Sequence, residues 1–339
     1  MPRKNSSSSP ILTAACYGVV TIDVEPDNVW TNTRSATLSN LRRLPLFHKV
    51  CQHHGVRPTY LITWSVARDA EGASLIEGLM KNNDCEVGIH PHLWETPPFL
   101  PQDVVPSQAW VGSNYPSDAL EAKLATLTDL VRGRFGAPIS HRAGRFGLDL
   151  RQVGMLLRQR VLVDSSVTPG LDWSATGAPD YSAAPVGPYQ LRSKTPESGR
   201  ETVLWEVPCT IRPGWRCRRM ERTTLGRAIA NWLRMGPTWL RCHPSAPMER
   251  LHGVCAWAQK RDLPLNLMSH SSEFSAGCSP YWRDEAAVEQ HLRQCGQIFS
   301  WWQRNGVRPV TLSEFHVNLT RRAAATGSLI DRQSQTSAA

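Results

Sequence analysis

Apolar residues in this chain fall into short runs rich in β-branched side chains, alternating with longer stretches of helical spacing. Tyr17 to Val24 is the first run. The acidic cluster Asp23-Val-Glu-Pro-Asp27 closes it, as a buried parallel strand leading into a loop would end. Ser39 to His54 predicts a helix from Leu41, Leu44, Leu46, Phe47 and Val50; Gly55 stops it, and Pro45 breaks or delays its start. Pro58 to Trp64 predicts a second strand and Asp69 to Asn82 a second helix. Cys85 to Ile89 predicts a third strand, running into His90-Pro-His92 before Pro97 and Pro98 turn the chain. A long loop from Trp94 leads to a helix over Ser117 to Phe135. Ser140 to Gly147 and Val161 to Val167 predict strands on either side of a helix over Asp149 to Arg160.

The rhythm then breaks. From Thr168 to about Val203 the chain is rich in Pro, Gly, Ser, Asp and Tyr, which predicts a long loop over the open end of the fold. Val203 to Ile211 predicts a strand, and Thr223 to Arg234 and Ala246 to Arg261 predict helices. Leu263 to Ser269 is an apolar strand ending at His270. Asp284 to Asn305 is an amphipathic helix, and Val307 to Leu312 is the final strand. Strands alternating with helices imply a mostly parallel α/β fold with its chemistry at the carboxyl ends of the strands. At 339 residues, a single (β/α) barrel accounts for the length. We place it at 17–318, between loose segments at 1–16 and 319–339, where Ser, Thr, Ala and Gln predominate.

Composition excludes several classes. No run of about eighteen apolar residues is present, so the chain predicts no membrane span, and the N-terminal apolar stretch Ile11 to Cys16 is too short for a secretory signal. The nine cysteines are scattered without a Cys-x-x-Cys pair, arguing against a disulfide framework or a thiolate zinc ribbon. A cytoplasmic location follows as the expectation. The formal charge of +9 is arginine-rich, and Arg212 to Arg241 holds eight arginines against one acid, Glu221. With no helix-turn-helix, zinc or aromatic RNA-reading motif, that segment reads as a solvated face and not as a nucleic-acid surface.

Five strand ends carry chemistry: Asp23 and Glu25, His90 and His92, Arg142 and Arg145, Asp164 with Ser165 and Ser166, and His270. Side chains alternate along an extended segment, so Asp23 and Glu25 share one side, as do His90 and His92. One carboxylate and two imidazoles can hold a divalent metal, zinc being the expected ion, with a position left open for water. Glu25, His90 and His92 are the candidate ligands. Asp23 is the candidate base, Arg142 orients its carboxylate, and His270, on another strand, is the candidate general acid. Trp94, Arg145, Asp164 and Trp173 are candidate substrate contacts, the tryptophans by stacking on sugar faces.

In order along the chain these motifs resemble the polysaccharide deacetylases, whose catalytic domain is the NodB-homology domain. Thr21-Ile-Asp-Val-Glu25 resembles the first motif with its second acid moved on, and Glu86-Val-Gly-Ile-His90 the opening of the second. Arg142-Ala-Gly-Arg145, Asp164-Ser-Ser166 running on to Leu171-Asp-Trp173, and Leu267-Met-Ser-His270 follow as the third to fifth. His-x-His-x-Trp-x-Thr-Pro-Pro and Ser-His-Ser-Ser with Ser279-Pro-Tyr281 resemble a branch associated with sugar-polymer biosynthesis. The resemblance implies a distorted (β/α) barrel and removal of N-acetyl or O-acetyl groups from a carbohydrate or lipid-linked glycan. Two departures stand out. The family spaces its histidines four apart, whereas position 94 is Trp, and Val24 stands where many members keep a metal-binding Asp. Either the metal site is rebuilt from Glu25 and His92, or the metal is lost and the barrel is a catalytically silent glycan-binding protein.

Overall fold

A computed structural model of the chain describes residues 16–29, 37–104, 110–194, 201–214 and 236–336, with side chains to 325. The helix expected over Thr223 to Arg234 and most of the arginine-rich segment lie outside the described residues, as do residues 1–15.

The elements run β1 (Tyr17–Val24), α1 (Leu44–His53), β2 (Thr59–Ile62), α2 (Trp64–Arg68), α3 (Ala70–Leu79), β3 (Glu86–Ile89) and α4 (Ser117–Phe135). They continue with β4 (Ser140–His141), α5 (Leu150–Arg158), β5 (Val163–Asp164), β6 (Tyr189–Lys194), β7 (Glu201–Glu206), β8 (Ile211–Arg212) and β9 (Thr238–Trp239). The last are α6 (Met248–Gln259), β10 (Leu265–His270), α7 (Glu285–Arg304), β11 (Arg308–Pro309) and α8 (Leu312–Thr336). The helix boundaries follow local chemistry. Pro45 sits in the first turn of α1, where its missing N–H costs nothing. Asp69 caps α3, and Asp149 with Gln152 forms a capping box at α5.

The strands pair in the order β10-β1-β2-β3-β4-β5-β7-β6, with β11 also on β1. All these pairings are parallel except β6 with β7. Among the described residues no ladder joins β7 back to β10. Single backbone bonds bridge that gap, from Thr210 N to the Asn266 carbonyl (3.3 Å) and from Met268 N to the Leu240 carbonyl (3.4 Å). The fold is thus a mostly parallel α/β ring distorted on one side.

Alternation along β1 stacks its two faces differently. Val20, Ile22 and Val24 join the large apolar cluster shared with α1 and the other covering helices, while Val19 meets Val163, Val207, Val310, Leu312 and Phe315. That second cluster fills the amino-terminal end of the strands. One step up, Thr21 Oγ1 donates to Asn266 Oδ1 (3.0 Å), and Asn266 Nδ2 donates to Ser165 Oγ (2.9 Å). Asp23 stands above this polar layer. Apolar floor, hydrogen-bonded middle and charged top are therefore three successive inward positions of one strand.

Three expectations change. The loop expected over Thr168 to Val203 contains β6, whose Tyr-Gln-Leu-Arg-Ser-Lys sequence pairs antiparallel with β7 at the sheet edge, where half-exposed polar residues suffice. The strand expected over Ser140 to Gly147 stops at His141, because Arg145 and Phe146 both turn into the left-handed region, φ 57° and 56°. The tail expected to be loose from 319 instead continues α8 to Thr336. Phe315 and Leu319 pack on the second cluster, and the alanines that follow extend a helix already nucleated there.

Candidate active site

The carboxyl ends of β1, β3 and β10 bring five titratable side chains together, all buried. His92 Nε2 lies 3.2 Å from Glu25 Oε2, and His90 Nε2 lies 3.6 Å from the same oxygen and 3.8 Å from Asp23 Oδ2. His270 Nε2 faces them from β10, 3.8 Å from Asp23 Oδ2 and 3.9 Å from Glu25 Oε1. Residue 24 is Val because its side chain points outward into the apolar core; Glu25, one step further, reaches the inner face.

Arg142 is buried completely, and its guanidinium organises the layer beneath. Nη1 donates to Asp23 Oδ1 (2.7 Å), Nε to the Ser165 carbonyl (2.7 Å), and Nη2 to Thr21 Oγ1 (2.7 Å) and Ser165 Oγ (2.9 Å). Burial pushes the Asp23 carboxyl up, but the charges of Arg142, His90 and His270 outweigh it and hold Asp23 below the usual carboxylate range. Glu25 is likewise depressed: burial opposes ionisation, and His270, His90 and His92 more than reverse it.

The histidines are oriented from behind. His90 Nδ1 donates to the Arg142 carbonyl (2.8 Å), which turns Nε2 toward the acids. Trp94 stacks on the His92 ring, centroids 4.2 Å apart and planes at 23°, while Thr96 Oγ1 donates to the His92 carbonyl (2.8 Å). Lys123 on α4, buried, ties this loop down through the Leu93 and Thr96 carbonyls (2.9 and 2.7 Å) and Asp103 (2.9 Å). His270 Nδ1 faces Arg241 Nη2 (3.2 Å), the backbone N–H of Glu273 and Glu273 Oε2 (3.6 Å), which turns Nε2 toward the cavity. Glu273 in turn accepts from Arg241 (2.8 Å) and from the backbone of His270 (3.0 Å).

Glu25, His90 and His92 fit a metal. Their donor atoms lie within 4.8 Å of one another, and Glu25 Oε1 is buried with no hydrogen-bond partner among the described residues. A buried carboxylate oxygen left unpaired is costly unless a cation meets it.

Above these groups opens a cavity of about 220 Å³. Trp110, Phe146, Trp173, Trp239 and Tyr281 wall it, with Arg145 and Arg241 between them. Arg145 reaches in because of its left-handed backbone; its guanidinium lies 4.1 Å over Trp110. The indole N–H groups of Trp110 and Trp239 are buried without acceptors among the described residues.

The structure thus brings Asp23, Glu25, His90, His92, Arg142, Arg145, Trp173 and His270 to one place. It does not bring Trp94 or Asp164 to the cavity. Trp94 packs behind His92. Asp164 is fully buried under the rim, accepting from Ser166 Oγ (2.7 Å) and bonded to His141 Nδ1 (2.5 Å), because parallel pairing sets it beside Glu206 on the neighbouring strand. Sequence reasoning missed Arg241, Glu273, Trp110, Trp239 and Tyr281. Glu273 left a signal, the Glu three residues after His270 that completes a capping box; Arg241 was hidden in an arginine-rich stretch.

The architecture is that of the polysaccharide deacetylase fold, a mostly parallel α/β sheet with its site at the strands' carboxyl ends. Solved structures show the likeness. A protein assigned as a polysaccharide deacetylase from Mycobacterium smegmatis superposes with a TM-score of 0.55 at 14% identity, covering 93% of each chain. One assigned as a glycoside hydrolase/deacetylase from Parabacteroides distasonis gives 0.55 at 13% identity, over 92% of this chain and 73% of that one. The 4-α-glucanotransferase from Thermococcus litoralis gives 0.52 at 12% identity, and this chain spans 40% of its length. No protein-family model and no curated protein sequence matches the chain. No helix among the described residues is long and apolar enough to cross a membrane.

Proposed function

We propose that this protein is a metal-dependent hydrolase that removes N-acetyl or O-acetyl groups from a carbohydrate or lipid-linked glycan. The observation that carries the reading is the Arg142-bound Asp23 standing between a three-donor metal group and His270, at the floor of an aromatic cavity. Glu25, His90 and His92 would hold the ion, zinc by the donor set of two imidazoles and one carboxylate. When bound, such an ion supplies Lewis acidity and a more acidic water.

The remaining chemistry belongs to the chain. Arg142 fixes Asp23 through Oδ1, leaving Oδ2 to take a proton from water as the water oxygen bonds to the acetyl carbon. His270, as the imidazolium, gives its Nε2 proton to the leaving nitrogen or oxygen as that atom's bond to the acetyl carbon breaks, and is left neutral. The proton held by Asp23, 3.8 Å from Nε2, replaces it. Acetate and a free amine or hydroxyl result. Arg241 and Glu273 hold the His270 ring with Nε2 toward the cavity. The unpaired indole N–H groups of Trp110 and Trp239 suit sugar hydroxyls, and the arginines in the wall suit an anionic substituent.

The test combines metal content with acetate release from acetylated sugars. Asp23→Asn and His270→Ala should retain the ion and lose about 10²- to 10⁴-fold in turnover; His90→Ala should lose both. A wild-type chain that takes up no divalent ion on reconstitution and releases no acetate, yet binds glycans, would replace this reading with the silent glycan-binding one.

A further inference from the structure

Behind His270 and its partners lies a second convergence of donor atoms that the proposed hydrolysis does not use. Cys242, His291 and Cys295 are buried at 1%, 0% and 0% exposure, with one donor atom of each within 4.8 Å of the others. His291 and Cys295 stand one turn apart on the same face of α7, and Cys242 arrives on the segment after β9. Sequence reasoning passed over all three.

The histidine is the informative member. Its Nδ1 lies 3.1 Å from the Glu273 carbonyl oxygen, to which it can only donate, so the proton is there and Nε2 carries a bare lone pair. That Nε2 is buried and faces the Cys242 thiol, whose proton a bound ion would replace. The ring is held in this direction by stacking on Trp282 (4.4 Å, 0°) and Phe274 (4.8 Å, 9°). A ligating histidine whose other nitrogen donates to a backbone carbonyl is the usual second-shell arrangement of metal sites. The two sulfurs lie 3.7 Å apart, too far for a disulfide at about 2.05 Å and close to the edge of about 3.8 Å that Zn–S bonds of about 2.3 Å give a tetrahedron.

We propose that Cys242, Cys295 and His291 form a second, structural metal site for zinc, separate from the group at Glu25, His90 and His92. Two thiolates neutralise the ion, so the filled site carries no net charge into an apolar surrounding, and the two thiol protons leave to solvent as it binds. The ion ties α7 to the segments bearing Arg241 and Glu273, the groups that orient His270. The inference is independent of the hydrolase reading.

The experiment titrates the reduced, metal-free full chain with cobalt(II), then with zinc. A sulfur-to-cobalt charge-transfer absorption should grow, persist in a His90→Ala/His92→Ala variant, vanish in Cys242→Ser/Cys295→Ser, and be displaced by zinc. About two protons should be released for each ion bound at this site. Absence of the absorption from wild-type protein at saturating cobalt, with its thiols shown free and reduced, would overturn the proposal whether or not the cysteine variant folds. Survival of the absorption in that variant, or recovery of Cys242 and Cys295 as a disulfide, would overturn it equally.

Discussion

The sharpest quantitative consequence concerns the coupling between Arg142 and Asp23. Lysine at position 142 keeps the positive charge but offers one nitrogen in place of a fork, so it cannot serve Asp23 Oδ1, Thr21 Oγ1 and the Ser165 carbonyl together. At least two buried acceptors lose a donor, each at about 1–3 kcal/mol, and partial relaxation leaves an expected cost for Arg142→Lys of about 2–4 kcal/mol. Asp23→Asn keeps an acceptor oxygen and removes the charge. A double-mutant cycle of Arg142→Lys, Asp23→Asn and the pair, read by denaturant unfolding at neutral pH, isolates the charge-assisted bond from the rest of Arg142's contacts. The expected coupling is about 1.5–3 kcal/mol, the range for a hydrogen bond to a charged group. Additivity within about 0.5 kcal/mol, with both single variants folded, would show that Arg142 does not hold Asp23 and would remove the basis for its positioning role.

Two further outcomes follow from packing and from protonation. A Cβ at Gly144 would lie 2.8 Å from the Pro91 carbonyl oxygen and 2.9 Å from His92 Cδ2, so Gly144→Ala should displace His92. Zinc affinity at Glu25, His90 and His92 should then fall at least about tenfold, and a zinc titration indistinguishable from wild type would contradict His92 as a ligand. Glu206 is pushed well above the usual carboxylate range by burial and by Asp164 beside it, so it holds the proton of the pair. A carboxyl raised on folding contributes stability below its unfolded value near pH 4.3 and loses it as pH rises toward the folded value. Glu206→Gln removes that loss, so its melting temperature relative to wild type should climb with pH above about 4.3; a difference constant with pH would show that Glu206 is ionised in the fold.

What was legible in the chain and what was not divide along a physical line. The strand cores β1 to β3 and β10 were readable because parallel strands buried on both faces must be continuous apolar runs, and their polar successors must emerge at one end. Asp23, Glu25, His90, His92 and His270 fall out of that rule by position, with alternation choosing the face; Arg142 was expected inside a strand and instead follows one that stops at His141. Period two also predicted that Glu25, and not Val24, would turn inward, the feature that lets the displaced acid meet both histidines. The same rule misjudged Asp164, because a strand-end acid can be consumed by a lateral neighbour. Glu206 is distant in sequence and adjacent only once β5 pairs with β7. Arg241 and Tyr281 failed for a related reason: they come from irregular segments whose side chains are aimed by tertiary bonds and not by a repeating dihedral, and Trp239 lies on a strand of two residues, too short to show a period. His291 and Cys295 had helical spacing in plain view, yet without Cys242, 49 positions upstream of His291, the pair is an ordinary buried helix face. The residues proposed for the chemistry were thus visible where secondary structure orders them. The residues that orient His270 and line the cavity became visible only in the folded chain.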